Sequence, residues 1–468
     1  MRRFLALESR DIVTVVSASM FMVQLDASVL AVALPQIAAH FGRPIVSLSL
    51  AITIYLMMLV AVLPVSGWVA DRFGPRRIFQ LATLGFGLFS LLCALASTFW
   101  LFILARALQG ACAALMTPVA RLILLKRTSK AELVDALAIT AMPMLVAPTL
   151  GPSIGGFIVD YGRWEYIFLL NVPVALALVA LTRWRLPEVE LVQPARLDWR
   201  GALLLSAALI ALLTGLDRLA SDAVGALPWG LLVAGAALAS LTLRHLRAHP
   251  HPIVSLEPLR IAAFRTTAIG AGAMVRVPAR AILFALPLMF QMGFGFSPFI
   301  AGLLLMALNA GDLVTKPIVR PMFDRLGYRR AVVGGSLAGL SGLLVIAAAG
   351  SEPVWLSVIL AALVLAGFSR SIVFTGMASL TFSSLGSRDM TSGNVLASIS
   401  MQLFNATAIS GAALILGLTA QAHGEGEPGL ADFRITLLVV TLLGLAATLA
   451  LSRRIPDDLR EVHLEEAT

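Results

Sequence analysis

Charged residues are scarce in this chain of 468 residues: Asp, Glu, Lys and Arg together make up 13% of it, whereas apolar residues make up 59%. A soluble domain typically carries about 25% charged residues. A water-soluble protein of this composition would expose far more apolar surface than water tolerates. The scarcity excludes an ordinary soluble protein and predicts that lipid surrounds most of the chain.

Cysteine and histidine are also rare. The two cysteines, Cys93 and Cys112, lie in apolar runs and form neither a CxxC nor a zinc-ligand spacing of cysteines, which excludes a disulfide framework. The six histidines lie near or outside the apolar runs. The sequence also contains no Walker loop, haem motif or nucleophile–base set. We therefore predict a protein that is not an enzyme and that needs neither a metal nor an organic cofactor.

Long apolar runs are what the chain has instead. A bilayer core of about 30 Å needs about 20 apolar residues per helix. On that scale the sequence predicts an all-α membrane protein with fourteen spanning helices. The predicted spans are approximately 12–34, 47–68, 78–97, 99–124, 137–159, 165–182, 201–219, 228–243, 266–290, 298–319, 331–350, 354–381, 393–419 and 433–452.

The basic residues indicate the orientation of these spans. With the N-terminus in the cytoplasm, most of the 35 Lys and Arg residues fall in cytoplasmic loops, as the positive-inside rule requires. This distribution accounts for the net charge of +9 without a nucleic-acid partner. We expect a multi-pass membrane protein with both termini in the cytoplasm.

An internal repeat divides the chain. Residues 64–77 and 317–330 share Pro, Asp-Arg, Gly and Arg-Arg in register, at a constant offset of 253. Both segments close an apolar run and enter the cytoplasm, and parallel repeats of this kind are typical of transporters. The polar connections near 183–200 and 244–265 separate a central pair of spans. The predicted parts are a six-helix bundle at 1–186, two additional helices at 187–250 and a second six-helix bundle at 251–468.

The loop after the second span carries a motif suited to a conformational latch. Gly67 and Gly74 allow close approach and a tight turn, and Asp71 suits a position near a helix N-terminus of the opposite bundle. The arginines would pair with carboxylates in one packing state alone; a positive-inside turn with no switching role is the alternative. The second copy has Arg320 in place of the first glycine, so we expect a weaker latch there. The latch residues are Gly67, Asp71, Arg72, Gly74, Arg76 and Arg77 in the first copy and Asp324, Arg325 and Gly327 in the second.

A carboxylate and a guanidinium occupy similar depths in the first bundle. Asp26 in the first span and Arg106 in the fourth each lie about seven or eight residues from the outer end. At a rise of about 1.5 Å per residue their depths agree within roughly 2 Å. A carboxylate inside the bilayer usually faces the bundle interior and marks an ion pathway. The two charges could pair directly or through substrate. We predict that they load and release a proton; a static ion pair is the alternative.

Several of these segments resemble motifs of one transporter family. Residues 64–77 are similar to the cytoplasmic loop motif of the major facilitator superfamily, and residues 106–110 to its Arg-x-x-Gln-Gly motif. Residues 25–35 and 164–173 resemble the Leu-Asp-x-x-Val-x-x-x-Ala-Leu-Pro and Trp-x-x-x-Phe-x-x-Asn-x-Pro patterns of its fourteen-helix drug:proton antiporters, of the EmrB/QacA type. Residues 392–403 resemble the HsrA/MdtD branch. The resemblance implies proton-driven efflux by a monomer in a bacterial inner membrane, with the arginine of the fourth span, Arg106, taking part in proton transfer.

The fifth span resembles the antiporter motif of the same superfamily, which is taken to keep exporters from leaking protons or substrate. Gly151 and Gly155 would let two helix backbones touch, and the prolines would bend the helix. Ordinary close packing is the alternative. The motif residues are Pro148, Gly151, Pro152, Gly155 and Gly156.

The second bundle holds an unusual set of charges. Arg276 and Arg280 share a helical face at i,i+4, as do Asp312 and Lys316, and Arg370 adds to the positive excess. If the transport cavity contains this excess, an anionic substrate is expected; packing against helix ends or lipid headgroups is the alternative. The candidate cavity residues are Gln24, Gln109, Arg276, Arg280, Gln291, Asn309, Asp312, Gln402 and Asn405.

These patterns together predict a secondary active exporter that exchanges protons for amphipathic small molecules or drugs by alternating access. The proton gradient would drive it without a cofactor. Its partners would be the substrate, protons and the lipid bilayer, and no nucleic acid. Export of an anionic metabolite is the second hypothesis. A membrane sensor or scaffold that transports nothing is the third, and an appended soluble domain would indicate it.

Overall fold

The prediction of an all-α membrane protein is confirmed by the computed structural model. No β-strand occurs in the residues that it describes. Thirteen of its helices are long and apolar enough to cross a bilayer, and Leu133–Tyr161 is a further helix of 29 residues. The described residues are 7–43, 45–129, 132–186, 197–221, 225–296, 298–350, 352–386, 388–423 and 428–455.

We number the spans α1 to α14 in chain order, and three of them consist of more than one helical segment. The first six are α1 (Leu7–Phe41), α2 (Ile45–Val62 and Ser66–Phe73), α3 (Pro75–Ala94), α4 (Phe99–Arg127), α5 (Leu133–Tyr161) and α6 (Glu165–Leu169 and Asn171–Arg185). The central pair is α7 (Trp199–Ser221) and α8 (Ala226–Ala248). The last six are α9 (between Ala262 and Gly293), α10 (Pro298–Leu326), α11 (Tyr328–Ala348), α12 (Pro353–Ser383), α13 (Met390–Ala422) and α14 (Leu430–Ser452).

Glycine makes the same turn in both copies of the repeated loop. Gly74, between α2 and α3, has a φ of +90°, and Gly327, between α10 and α11, has a φ of +76°. A residue with a Cβ rarely adopts such angles. Pro75 begins α3 directly after the first of these turns, at the helix position where its missing amide proton costs nothing. The tight turn expected from the sequence is therefore present in both copies.

Span α9 is interrupted, whereas its apolar run predicts a single continuous helix. The backbone widens to a π-helix at Arg265–Ile269 and again at Met289–Gly293. Gly270 ends the first of these segments, and a new helix, Val277–Leu288, begins directly after Arg276. Irregular backbone inside a membrane protein occurs where protein or a cavity covers it. The break places Arg276 at the N-terminal end of a half-helix.

Contacts divide the chain into two compact units. In the first unit, each of the helices α1 to α6 contributes side chains to a buried apolar core. In the second, a corresponding core draws side chains from all of α9 to α14. The three-part division of the sequence into two bundles and a central pair stays a prediction. The first unit comprises Met1–Ile210, Leu238–Ser255 and Ser387–Val395, and the second comprises Ala211–Ala237, Leu256–Gly386 and Leu396–Thr468.

The central helices α7 and α8 leave most of their apolar surface exposed. In the most apolar 18-residue window of each helix, 28% of α7 and 17% of α8 is buried, compared with 56% of the corresponding window of α4. Their exposed side chains include Leu203 and Val233, which are 62% and 70% exposed. Within the first unit, the hydroxyl of Ser206 in α7 donates to the carbonyl oxygen of Ala61 in α2 at 2.6 Å. Most of this helix pair is therefore suited to face lipid.

Candidate functional site

Asp26 and Arg106 form a direct ion pair inside the first unit. Nη1 of Arg106 in α4 lies 2.8 Å from Oδ2 of Asp26 in α1, and the two side chains are 1% and 0% exposed. The two charged groups, which the sequence places at similar depths, are therefore in direct contact. Removing two charges from water costs several kcal/mol each unless they pair well, so the pair depends on the groups around it.

Two amides complete the surroundings of the Asp26 carboxylate. Nδ2 of Asn171 in α6 donates to its Oδ1 at 2.8 Å, and Nε2 of Gln109 donates to the same oxygen at 3.1 Å. The Ser90 hydroxyl oxygen in α3 accepts from both amides, at 3.0 and 3.3 Å. It donates in turn to the carbonyl oxygen of Phe168 at 3.0 Å. The buried charge is therefore both paired and hydrogen-bonded.

The Arg106 guanidinium has partners besides the carboxylate. Its Nη1 donates to Oε1 of Gln109 at 2.6 Å. Its Cζ lies 4.5 Å from the centre of the Tyr55 ring and 5.8 Å from that of Phe168, within cation–π range. These contacts do not depend on the charge of the neighbouring carboxylate.

Sequence reasoning missed Tyr55, Ser90 and Asn171 as members of this network. Tyr55 and Ser90 lie in apolar runs, where a single aromatic or hydroxyl residue is ordinary, and Asn171 was noted only as part of the motif at 164–173. Gln109 was predicted as a cavity residue, and the structure places it between Asp26 and Arg106. Polar residues that recur at the helical period of 3.6 mark the interior face of a span, and this pattern could have indicated Ser90. No sequence signal identifies Tyr55.

Asp71, in the first copy of the repeated loop, is held by two donors. Nζ of Lys126 lies 3.1 Å from its Oδ1, and the hydroxyl of Thr391 donates to the same oxygen at 3.0 Å. Thr391 lies in the first turn of α13, where the helix dipole favours an anion. A Cβ on Gly67 would lie 3.0 Å from methyl groups of Thr391 and Val395. Glycine therefore permits this close approach within the first unit.

The other motif residues are less enclosed. Nη2 of Arg76 donates to the carbonyl oxygen of Arg183 at 2.6 Å, while Arg72 and Arg77 are exposed. In the second copy, the Asp324 side chain is 69% exposed and lies 3.8 Å from Nε of Arg320. The following Arg325 is exposed as well. The two copies share the glycine turn. The carboxylate of Asp71 in the first copy has two close donors, whereas that of Asp324 in the second is mostly exposed.

Gly151 and Gly155 bring α5 against α1. A Cβ on Gly151 would overlap Ser28, and one on Gly155 would lie 3.1 Å from Cγ1 of Val29. The Ser28 hydroxyl donates to the carbonyl oxygen of Ala147 in α5 at 3.3 Å. The small-residue face therefore makes the predicted helix contact, and its role against leakage stays a prediction. The surroundings of the remaining motif residues, Pro148, Pro152 and Gly156, lie outside what the structure describes.

Asp312 lies between two cations in the second unit. Nζ of Lys316 is 3.0 Å from its Oδ1, and Nε of Arg370 is 2.8 Å from its Oδ2. All three side chains are buried. Nη2 of Arg370 also donates to Oδ1 of Asn309 at 2.9 Å. The only acidic member of the predicted charge set is thus shared by two basic partners.

Arg276 and Arg280 line a small cavity in the same unit. Both guanidinium groups lie over the ring of Phe374 in α12, with Cζ at 5.9 and 5.1 Å from its centre. Ser400 and Asn405 of α13 line the same cavity. The cavity therefore combines positive charge with neutral hydrogen-bonding groups.

The other predicted cavity residues lie elsewhere. The Gln291 amide donates to the carbonyl oxygen of Pro287, one turn earlier in α9, at 3.0 Å. Gln24 and Gln402 are half-buried in α1 and α13, and neither lines the cavity beside Arg280.

The chain resembles known proteins along almost its whole length. The family model of the Major Facilitator Superfamily matches residues 16–409. A relative from Cronobacter sakazakii, described as multidrug resistance protein MdtD, is 36% identical over 451 residues, which cover 95% of this chain and 94% of that protein.

Solved structures show the same fold at low sequence identity. The human organic anion transporter MFSD10 (TETRAN) aligns with a TM-score of 0.65 and 17% identity, covering 96% of this chain and 100% of that one. The proton:xylose symporter XylE aligns with a TM-score of 0.63 and 14% identity, covering 97% and 98%.

The family match and the similarity to the MdtD relative are consistent with the thirteen helices that are apolar and long enough to cross a membrane. They identify a multi-pass inner-membrane protein that is a transporter and not an enzyme. Because the family model covers far more than half of the sequence, the chain belongs to the major facilitator superfamily.

Proposed function

We propose that this transporter is a proton-coupled antiporter that exports amphipathic small molecules by alternating access. The observation that carries the proposal is the fully buried ion pair of Asp26 and Arg106, enclosed by Gln109 and Asn171. A carboxylate at membrane depth is costly and usually functional. The description of the MdtD relative as a multidrug resistance protein supports the substrate class.

Protonation of Asp26 would change the charge of the network more than its shape. The neutral carboxyl group would no longer offset the positive charge of Arg106, and an uncompensated buried charge is strongly destabilising. Gln109 and the Tyr55 ring would still hold the guanidinium in place. The proton would therefore favour any conformation that gives Arg106 water or another anionic partner. This difference between states is what coupling requires.

The orientation and partners follow the distribution of charge in the sequence. The basic loops favour an arrangement with both termini in the cytoplasm. Protons entering the cell would then drive the export of substrate. The proposal requires the bilayer, a substrate and a proton gradient, with no cofactor, no nucleic acid and a single copy of the chain.

The proposal is tested in proteoliposomes with Asp26→Asn. We expect a pH gradient to drive substrate accumulation by the unaltered protein and not by the variant. Substrate exchange without a gradient should survive, because it needs no net proton movement. Asp217→Asn, which neutralises an exposed carboxylate in α7, is the matched control. Unchanged gradient-driven accumulation in Asp26→Asn would remove the proposal.

A second candidate is the export of an anionic compound. The charge cluster, defined as Arg276, Arg280, Lys316, Arg370 and Asp312, has four basic members and one acidic member. Two of the basic members line a cavity at the start of a half-helix, where the dipole favours an anion. Positive half-helix ends bind anionic substrate groups in other transporters.

Paired substitutions test the second candidate. Replacing both Arg276 and Arg280 by Gln removes the charge, and replacing both by Lys keeps it. We expect exchange of anionic test compounds to fall in the Gln pair and to remain in the Lys pair, with neutral compounds unaffected in both. Equal loss for anionic and neutral compounds would argue for a structural role.

A further inference from the structure

Three potential metal ligands converge at the base of the central helix pair, in the first unit. Asp198 lies immediately before α7, His245 lies in the last turn of α8, and His249 directly follows that helix. Nε2 of His245 is 2.7 Å from Oδ1 of Asp198, whose side chain is 2% exposed. One ligand atom from each of the three residues lies within 4.8 Å of the others.

Local structure explains why these side chains meet. Oδ1 of Asp198 accepts from the amide of Gly201 at 2.9 Å, as an N-cap residue does at the start of a helix. The His249 amide donates to the His245 carbonyl oxygen at 2.8 Å, so the helical turn continues past Ala248. Residues four apart on a helix face the same side, and the two imidazole rings are 5.2 Å apart.

Hydrogen bonds from two backbone amides orient the Asp198 carboxylate. The Gly201 amide donates to its Oδ1. The Ile253 amide donates to Oδ2 at 3.2 Å. Such outer donors orient a carboxylate that binds a metal ion.

A capped helix with one histidine partner would account for Asp198 and His245 alone. It does not account for the second imidazole, that of His249, whose ring lies beside the first and offers a ligand atom within 4.8 Å of those of the other two residues. Two imidazoles and a carboxylate are a preferred ligand set for Zn²⁺ and related divalent transition metals, with one position left for water. Ligand bonds of about 2.0–2.2 Å would require the ion to take the place of the hydrogen between His245 and Asp198.

We propose that Asp198, His245 and His249 form a binding site for a divalent transition-metal ion of the zinc type. The site is separate from the proton-coupling network and does not depend on the proposed transport function. An ion bound there would join the entry to α7 with the exit from α8 and with the following segment at Ile253. It would hold together the ends of two helices whose apolar surfaces are largely exposed.

The test uses the full-length protein in detergent, purified through a tag that contains no histidine. Co²⁺ is titrated while the visible absorption of tetrahedral cobalt is recorded, and Zn²⁺ is then added in competition. We expect one ion per chain and displacement of cobalt by zinc. His249→Ala should weaken binding by more than the about 10- to 100-fold that loss of an outer partner causes, because it removes a ligand.

His251→Ala is the matched control. Its imidazole is not part of the triad, and its backbone amide, which donates to Nδ1 of His249, is retained. Asp198→Asn keeps an acceptor for the Gly201 amide while removing the charge, so it should fold and bind weakly. Thermal unfolding without metal verifies the fold of each variant. No cobalt signal in the unaltered protein, or equal binding by His249→Ala and His251→Ala, would overturn the proposal.

Discussion

Gly110 of α4 packs against the backbone of Tyr55 in α2, where a Cβ would overlap the tyrosine carbonyl oxygen. Gly367 of α12 packs against the carbonyl oxygen of Leu308 in α10 in the same way. Tyr55 and Leu308 are separated by 253 residues, the offset of the repeated loop. Each unit therefore repeats a helix–helix contact together with the loop, and in the first unit that contact positions the ring that covers Arg106.

We expect Gly110→Ala and Gly367→Ala each to lower stability by about 1–3 kcal/mol, the usual cost of overpacking. The measurement is the thermal unfolding temperature in detergent. Gly302→Ala in α10 is the control, because nothing lies within 4 Å of its added methyl group. Loss of that glycine should stabilise the helix by up to about 1 kcal/mol. Equal unfolding temperatures for Gly110→Ala and Gly302→Ala would contradict the packing.

Tyr55 should act through its ring and not through its hydroxyl group. Its Oη is buried and has no hydrogen-bond partner among the described residues, so Tyr55→Phe should be neutral or slightly stabilising. Tyr55→Leu should lose the cation–π contact with Arg106, worth about 0.5–2 kcal/mol. Gradient-driven transport and unfolding temperature are measured for both variants. A Phe variant as impaired as the Leu variant would assign the role to the hydroxyl instead.

A double-mutant cycle should reveal strong coupling between Asp26 and Arg106. Asp26→Asn or Arg106→Gln alone breaks a buried pair, at a cost of about 3–5 kcal/mol when one charge is left uncompensated. The double variant should lose less than the sum, with a coupling of about 0.5–3 kcal/mol.

The same cycle on Glu257 and Arg260 provides the comparison for that measurement. These side chains are 53% and 80% exposed and lie 3.2 Å apart, and exposed pairs contribute little to stability. Similar coupling in the two cycles would show that the Asp26–Arg106 pair is not effectively buried.

The two copies of the loop should respond unequally to loss of their aspartates. Asp71→Asn removes the partner of Lys126, and we expect the rate of substrate exchange to fall by up to about fivefold, equivalent to about 1 kcal/mol. Asp324→Asn should stay close to the unaltered protein, because its carboxylate is exposed. Exchange rates in proteoliposomes decide the matter. An equal fall in both variants would contradict the asymmetry.

Sequence patterns predict the helices and the main ion pair for a shared physical reason. Apolar runs set the length of each span, and opposite charges inside such runs have few partners other than each other. The contacts of Tyr55 and Ser90 depend on the rotation of α2 and α3 about their own axes. A helix that is apolar on most of its faces has no distinct polar face, so its sequence does not show which side points to the interior.

The interruptions of α9 and the cluster of Asp198 with two histidines could not be predicted from the sequence, for other reasons. A π-helical turn adds one residue without a distinctive residue type, so the apolar run around Arg276 reads as one helix. Asp198 and His245 are 47 positions apart, and only the return of α8 beside α7 brings them together. The pair of histidines at i,i+4 was the one local signal available.

The largely exposed apolar surfaces of α7 and α8 have a consequence for how this protein tolerates substitution. A lipid-facing position accepts any residue of suitable hydropathy, because no neighbouring side chain has to fit its shape. Relatives should therefore differ most freely along the middle of these two helices. Identity should persist at their ends, where Asp198 begins one helix and His245 closes the other.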